Sequence, residues 1–102
     1  MKVRIPFYYD GPQPSARVLC MDDMQWFDLA TGQKVKDRPD AVPLHALLDF
    51  PSYWYFEGDL PERQQWAIFA VNGMGDPVGE ASFYLDAAVV RGEFILPMIL
   101  RS

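Results

Sequence analysis

The stretch "ERQQWAIFAVNG", residues 62–73, decides whether this chain is all-β or a mixture of helix and sheet. For a helix over residues 60–71, Asp59 supplies a cap, Pro61 stands near the first turn and Asn72-Gly73 ends it. Against the helix, residues 66–71 form an unbroken apolar run of strand length, suited to the middle of a sandwich. The surrounding sequence favours the strand.

Working outward, residues 2–9, "KVRIPFYY", alternate cleanly. Val3, Ile5, Phe7 and Tyr9 face one way, and Lys2, Arg4 and Tyr8 the other, as in a strand with one wet face. "DGPQPS" breaks the run, and "ARVLCM" and "MQWFDL" resume as strands. In "DLATGQKVKD", residues 28–37, Thr31-Gly32 supplies a hydroxyl for a local backbone bond and a residue free to take positive φ. Residues 38–51 are ambiguous. Val42, Leu44, Ala46 and Leu48 alternate, while Leu44, Leu47 and Leu48 keep helical spacing, so an extended segment ending in a short helical turn is expected. "SYWYFEGDLP" is an aromatic strand, "NGMGDPVG" a hairpin loop, and "VGEASFYL" a strand with Gly79, Ala81, Phe83 and Leu85 on one face. The tail "AAVVRGEFILPMIL" predicts two short strands around Arg91-Gly92. The expected fold is one all-β sandwich domain over residues 1–102, with seven to nine strands. The alternative is α+β with a helix over residues 60–71.

Composition agrees. The 102 residues are half hydrophobic, 15% aromatic and rich in proline, with nine. That favours short strands and frequent turns around a single core. A net charge of −5, from nine basic and fourteen acidic residues, disfavours nucleic acid and anionic membranes as partners. Arg4 and Arg17 are too few for a phosphate-tracking patch. Cys20 is alone, so it forms no disulfide within the chain, and it has no His or Lys beside it in sequence to activate its thiol. No signal-peptide core and no window of about twenty apolar residues stands out, so synthesis and folding in the cytoplasm are expected.

"DLATGQKV" resembles the "D-x-x-T-G-x-P-V" signature that opens many transthyretin-like and CnaB-like immunoglobulin-type sandwiches. In those folds an aromatic strand and a "D-L-P-P-G-x-Y" turn lead into a central apolar strand. Here "SYWYFEGDLPERQQWAIFAV" looks like the same succession. Asp59, Leu60 and Pro61 match the turn, Trp66 stands near the aromatic position, and "AIFAV" matches the strand. The glycine after the prolines is missing, and residues 62–65 lengthen the connection. The likeness covers residues 28–85. It implies an immunoglobulin-like, transthyretin-like sandwich of the kind seen in small virion proteins of tailed phages. The intramolecular Lys–Asn or Lys–Asp bond of CnaB-type domains is not expected, since "EFILPMIL" offers Lys2 no Asn or Asp.

Chemistry-bearing motifs are scarce. His45 is the single histidine, and no Gly-x-Ser-x-Gly elbow accompanies it. Asp22, Asp23 and Asp28 lack the spacing of a calcium loop. Glu57 with Asp59, or Glu80 with Asp86, have the composition of paired glycosidase acids, but surface carboxylates explain them as well. No catalytic residue, metal or cofactor is expected.

Contact surfaces are better marked. In Tyr53, Trp54, Tyr55 and Phe56, alternation sends one pair to the core and leaves the other for cross-strand packing, a protein partner or a sugar ring. In "EFILPMIL", Phe94, Leu96, Met98 and Leu100 share one face, and Ile95 and Ile99 share the other. Both faces are apolar, and Pro97 suits an edge position. A second subunit, or a loop of the same chain, is expected to cover this strand. The expected function is therefore non-enzymatic assembly as a homo-oligomer or within a virion, as a tail, baseplate or capsid accessory part. Phe94, Ile95, Leu96, Met98, Ile99 and Leu100 are the candidate contacts, with Tyr53 and Tyr55 as a second patch. The alternatives are a small acidic inhibitor or regulator of a basic protein, and a carbohydrate-binding module using Tyr53 and Tyr55.

Overall fold

A computed structural model describes residues 1–86 and the tail segment 97–100, with backbone alone at residue 100. Among these residues ten strands form and no helix does. They are β1 (Lys2–Tyr8), β2 (Ser15–Cys20), β3 (Gln25–Asp28), β4 (Gln33–Val35), β5 (Val42–Pro43), β6 (His45–Ala46), β7 (Tyr53–Asp59), β8 (Gln64–Val71), β9 (Pro77–Leu85) and β10 (Ile99–Leu100). Two antiparallel sheets stack face to face, one in the order β1-β7-β6 and the other β10-β9-β8-β2-β3-β4. The short β5 pairs with the start of β2. The protein is an all-β sandwich. The strands expected around Arg91-Gly92 fall outside the described residues.

The ambiguous stretch is a strand, and a central one. β8 pairs along its length with β2 on one side and β9 on the other. The residues that suit a helix serve other ends here. Asn72 closes the β8–β9 hairpin, its Oδ1 accepting from the N–H groups of Met74 and Asp76 at 2.9 Å each. Pro61 lies in the connection into β8, where its carbonyl accepts from Trp66 Nε1 at 3.0 Å. Both backbone edges of β8 are satisfied by neighbours, which no isolated helix of three turns matches.

The core lies between the sheets. Val3, Ile5, Phe7 and Phe56 enter from the three-stranded sheet, and Val18, Phe27, Trp66, Ile68, Phe83 and Leu85 from the other. These positions alternate along their strands as a period of two requires. Phe27 meets Trp66 edge to face, with centroids 5.2 Å apart. Gly79 leaves room on β9 for the Phe7 ring, so the two sheets touch most closely there.

Two local expectations need correction. In the β3–β4 turn, Gly32 takes a φ of +71° as the sequence suggests, but the side-chain bond comes from Asp28. Its Oδ1 accepts from the Ala30 N–H at 2.9 Å, an Asx-type turn in place of the Thr31 hydroxyl. Residues 42–46 are extended, in β5 and β6, and a turn follows at residues 48–49, but burial follows neither periodicity throughout. Leu44 is fully buried while Leu48 is 96% exposed. The reason is that loop 10–14 pins Leu44 from both sides. Its N–H donates to the Pro14 carbonyl, and its carbonyl accepts from Gln13 Nε2, each at 2.9 Å.

Candidate interaction surface

The outer face of the three-stranded sheet is built by register. Lys2, Arg4, Pro6 and Tyr8 of β1 stand opposite Asp59, Glu57, Tyr55 and Tyr53 of β7, and His45 of β6 stands opposite Tyr55. At one end the contacts are polar. The Arg4 guanidinium lies 4.6 Å from the Tyr55 ring centroid, and Arg4 Nη2 donates to Glu57 Oε2 at 3.1 Å. Lys2 Nζ comes within 3.5 Å of Glu57 Oε1. His45 stacks on Tyr55 at 5.1 Å. At the other end the surface is aromatic. Tyr8 and Phe50 each present an edge to Tyr53, at 5.2 and 6.2 Å. Tyr8, Phe50 and Tyr53 all remain exposed, Phe50 by 60%.

The tail reaches this aromatic end. The Met98 N–H donates to the Pro6 carbonyl at 3.1 Å. Continuing backbone bonds at Met1–Leu60 and Tyr9–Ser52 mean that odd-numbered residues of β1 bond to β7, so the groups of Pro6 point to the open edge. Proline is tolerated there because no ladder needs its missing N–H. Pro97 and Met98 then wall a shallow groove of about 190 Å³ with Tyr8 and Tyr53.

The sequence-selected residues therefore separate. Tyr53 is exposed, Tyr55 is half-buried beneath Arg4 and His45, and Met98 turns inward, 8% exposed, into the core. Ile99 points the opposite way and is 71% exposed on the larger sheet. Leu100 pairs with Gly79 through its backbone, and Phe94, Ile95 and Leu96 lie outside the described residues. Tyr8 and Phe50 join Tyr53 without having been selected. Alternation alone grouped Tyr8 with Lys2 and Arg4, and only the β1–β7 register brings it to Tyr53.

The candidate acids are engaged in local pairs. Asp59 Oδ1 accepts from the Met1 ammonium at 2.6 Å, beside a cleft of about 730 Å³ that Glu57 and His45 also line. Glu80 and Asp86 are six residues apart along one chain direction, about 20 Å, beyond any glycosidase pairing. Among the described residues no three of His, Cys, Asp and Glu gather to hold a metal. Cys20 is buried and its Sγ donates to Gln64 Oε1 at 3.0 Å. Lys34, distant in sequence, comes close across β3 and β4, where its Nζ donates to Asp23 Oδ2 at 2.6 Å. That bond lowers the Asp23 pKa and raises that of Lys34. Arg4 and Arg17 point outward from different sheets and share no patch.

The hydrogen bond from Arg4 holds the Glu57 carboxyl below its ordinary value of 4.5, with Lys2 adding to it. A depressed carboxylate stabilises the fold above its unfolded pKa, and the contribution disappears as pH falls through the lowered folded value. Glu57→Gln should therefore lower the urea midpoint at about pH 7 and lower it by clearly less at about pH 3, below the unfolded carboxylate pKa. An equal loss at both pH values would mean that the carboxylate charge is not what matters.

Comparison with protein-family models, curated proteins and solved structures finds no match.

Proposed function

We propose that this chain is a non-enzymatic structural protein that works by assembly with other proteins, as a tail, baseplate or capsid accessory part of a tailed-phage particle. The observation that carries the reading is the cluster of Tyr8, Phe50 and Tyr53, left in solvent beside Pro97 and bordered by the Arg4–Glu57–Lys2 pairs. An apolar aromatic centre with a charged border is the anatomy of a protein interface, and tyrosine is favoured among the residues that anchor one. The virion setting rests on the likeness of the sequence to small acidic sandwich proteins of that kind. Synthesis in the cytoplasm and packaging into the particle belong to the same reading.

A carbohydrate-binding module would use the same tyrosines, but their rings are set against it. Tyr8 and Phe50 meet Tyr53 at interplanar angles of 64° and 74°, so neither ring extends that of Tyr53 into one flat platform. The assembly reading is tested by placing a photocrosslinking amino acid at position 53 in cells that produce the chain. The expected result is a discrete crosslinked protein species, lost when the probe is moved to exposed Gln33 on β4. No species at position 53, or the same pattern at both positions, would overturn it.

A further inference from the structure

The smaller sheet is one strand short beside the end of β7. On that edge β6 lies opposite Trp54 and Tyr55 alone. The Leu47 N–H donates to the Tyr53 carbonyl at 2.9 Å, so odd-numbered residues of β7 turn their N–H and C=O groups toward this edge. The chain enters β6 from β5, which pairs with β2 in the other sheet, and so crosses between the sheets at Leu44. Past that crossing, no strand among the described residues lies beside Glu57 and Asp59. Both residues border the cleft of about 730 Å³ instead. Its floor is apolar, with Phe27 and Leu60 buried and Leu29 and Val42 half-buried.

We propose that this edge binds an extended segment of a partner protein, added to the smaller sheet as a strand antiparallel to β7, with apolar residues turned inward and basic residues outward. The backbone groups of Glu57 and Asp59 set the class of ligand, because a strand presents N–H and C=O groups at the matching spacing. Directly opposite residues of an antiparallel pair share a face. Residues opposite Glu57 and Asp59 therefore point outward with those carboxylates, and their neighbours point inward over Leu29 and Val42. Charge selects the outward residues. Asp59 has a side chain 84% exposed and gives one oxygen to the Met1 ammonium, while its other oxygen takes no bond among the described residues. A second cavity of about 380 Å³ shares Phe27, Leu29, Val42 and Pro43 with the cleft and adds the exposed Asp40. On a chain of net charge −5, a basic segment is the one drawn to this edge. The site is separate from the cluster of Tyr8, Phe50 and Tyr53, which lies at the other end of β7, so the crosslink at position 53 neither carries nor removes it.

A capped six-residue peptide of alternating lysine and valine serves as the probe, added to the full chain labelled with ¹⁵N. Amide hydrogen exchange at Glu57 and Asp59 should slow at least about tenfold at saturation, with no change along β4, the open edge of the larger sheet. N-methylation separates strand addition from charge attraction. In the antiparallel arrangement the lysine N–H groups bond to β7 and the valine N–H groups point away. A peptide methylated on its lysine nitrogens in the backbone should therefore give no protection, and one methylated at its valines should still protect both amides. Replacing lysine by glutamate should weaken binding at least about tenfold. No slowing with the probe at about 1 mM, equal slowing along β4, or equal protection by the lysine-methylated peptide overturns the proposal. A glutamate peptide that binds as well as the lysine one overturns the basic partner.

Discussion

Gly79→Ala is expected to destabilise the protein by about 2–3 kcal/mol, a large share of what holds a domain of this size together. An added Cβ at this position runs into Cε2 of Phe7, with Cδ2 and Cζ of the same ring 3.1 Å away. Phe7 is 1% exposed and is a core residue of the opposite sheet, so its ring has nowhere to turn. The glycine is not there for its backbone freedom, since its φ is ordinary for a strand. It is there because two sheets approach each other at this point. If that is right, the cost lies in one contact. Phe7→Leu should relieve much of it, so the double variant should be more stable than the two single losses predict, by about 1 kcal/mol or more. Urea unfolding of the four proteins measures the coupling. Additive losses would show that the sheets do not meet at Gly79 and Phe7.

This contact also marks where the sequence stops being informative. Alternation placed Val3, Ile5 and Phe7 on one face of β1 and Gly79, Ala81, Phe83 and Leu85 on one face of β9, and the structure has both. Nothing local states that these faces meet, because Phe7 and Gly79 are far apart in sequence and their contact depends on how the sheets stack. The same limit explains the candidate surface. Tyr53 was legible as one of an alternating pair, but its grouping with Tyr8 and Phe50 needed the β1–β7 register and the turn before β7. Residues 62–73 show the converse case. Their local signals allow both helix and strand, and pairing on both edges of β8 decides for the strand. At Leu48 both periods fail, since each groups it with buried Leu44 while it stands 96% exposed in the turn after β6, and bonds to loop 10–14 hold Leu44 alone in place.

Trp66→Ala is expected to have the largest effect of any single change, about 3–5 kcal/mol, leaving a fold at the edge of stability. Trp66 is fully buried between the sheets, and no smaller side chain fills its volume. The substitution removes three things together: the packing of the indole in the core, its edge-to-face contact with Phe27, and the bond from Nε1 to the Pro61 carbonyl. Trp66→Phe separates them. It keeps a ring against Phe27 but leaves the Pro61 carbonyl without its donor, at a cost of about 1–3 kcal/mol. That loss should loosen the β7–β8 connection first, seen as faster amide hydrogen exchange at Arg63, whose N–H bonds to the Leu85 carbonyl. Trp26 supplies the internal comparison. It is half-buried on the outer face of the same sheet, so Trp26→Ala should cost clearly less than Trp66→Ala in the single chain. Equal losses would mean that Trp66 stands on the outer face alongside Trp26. A register slip of one residue in β8 would do this, since it turns every side chain of the strand to the opposite face.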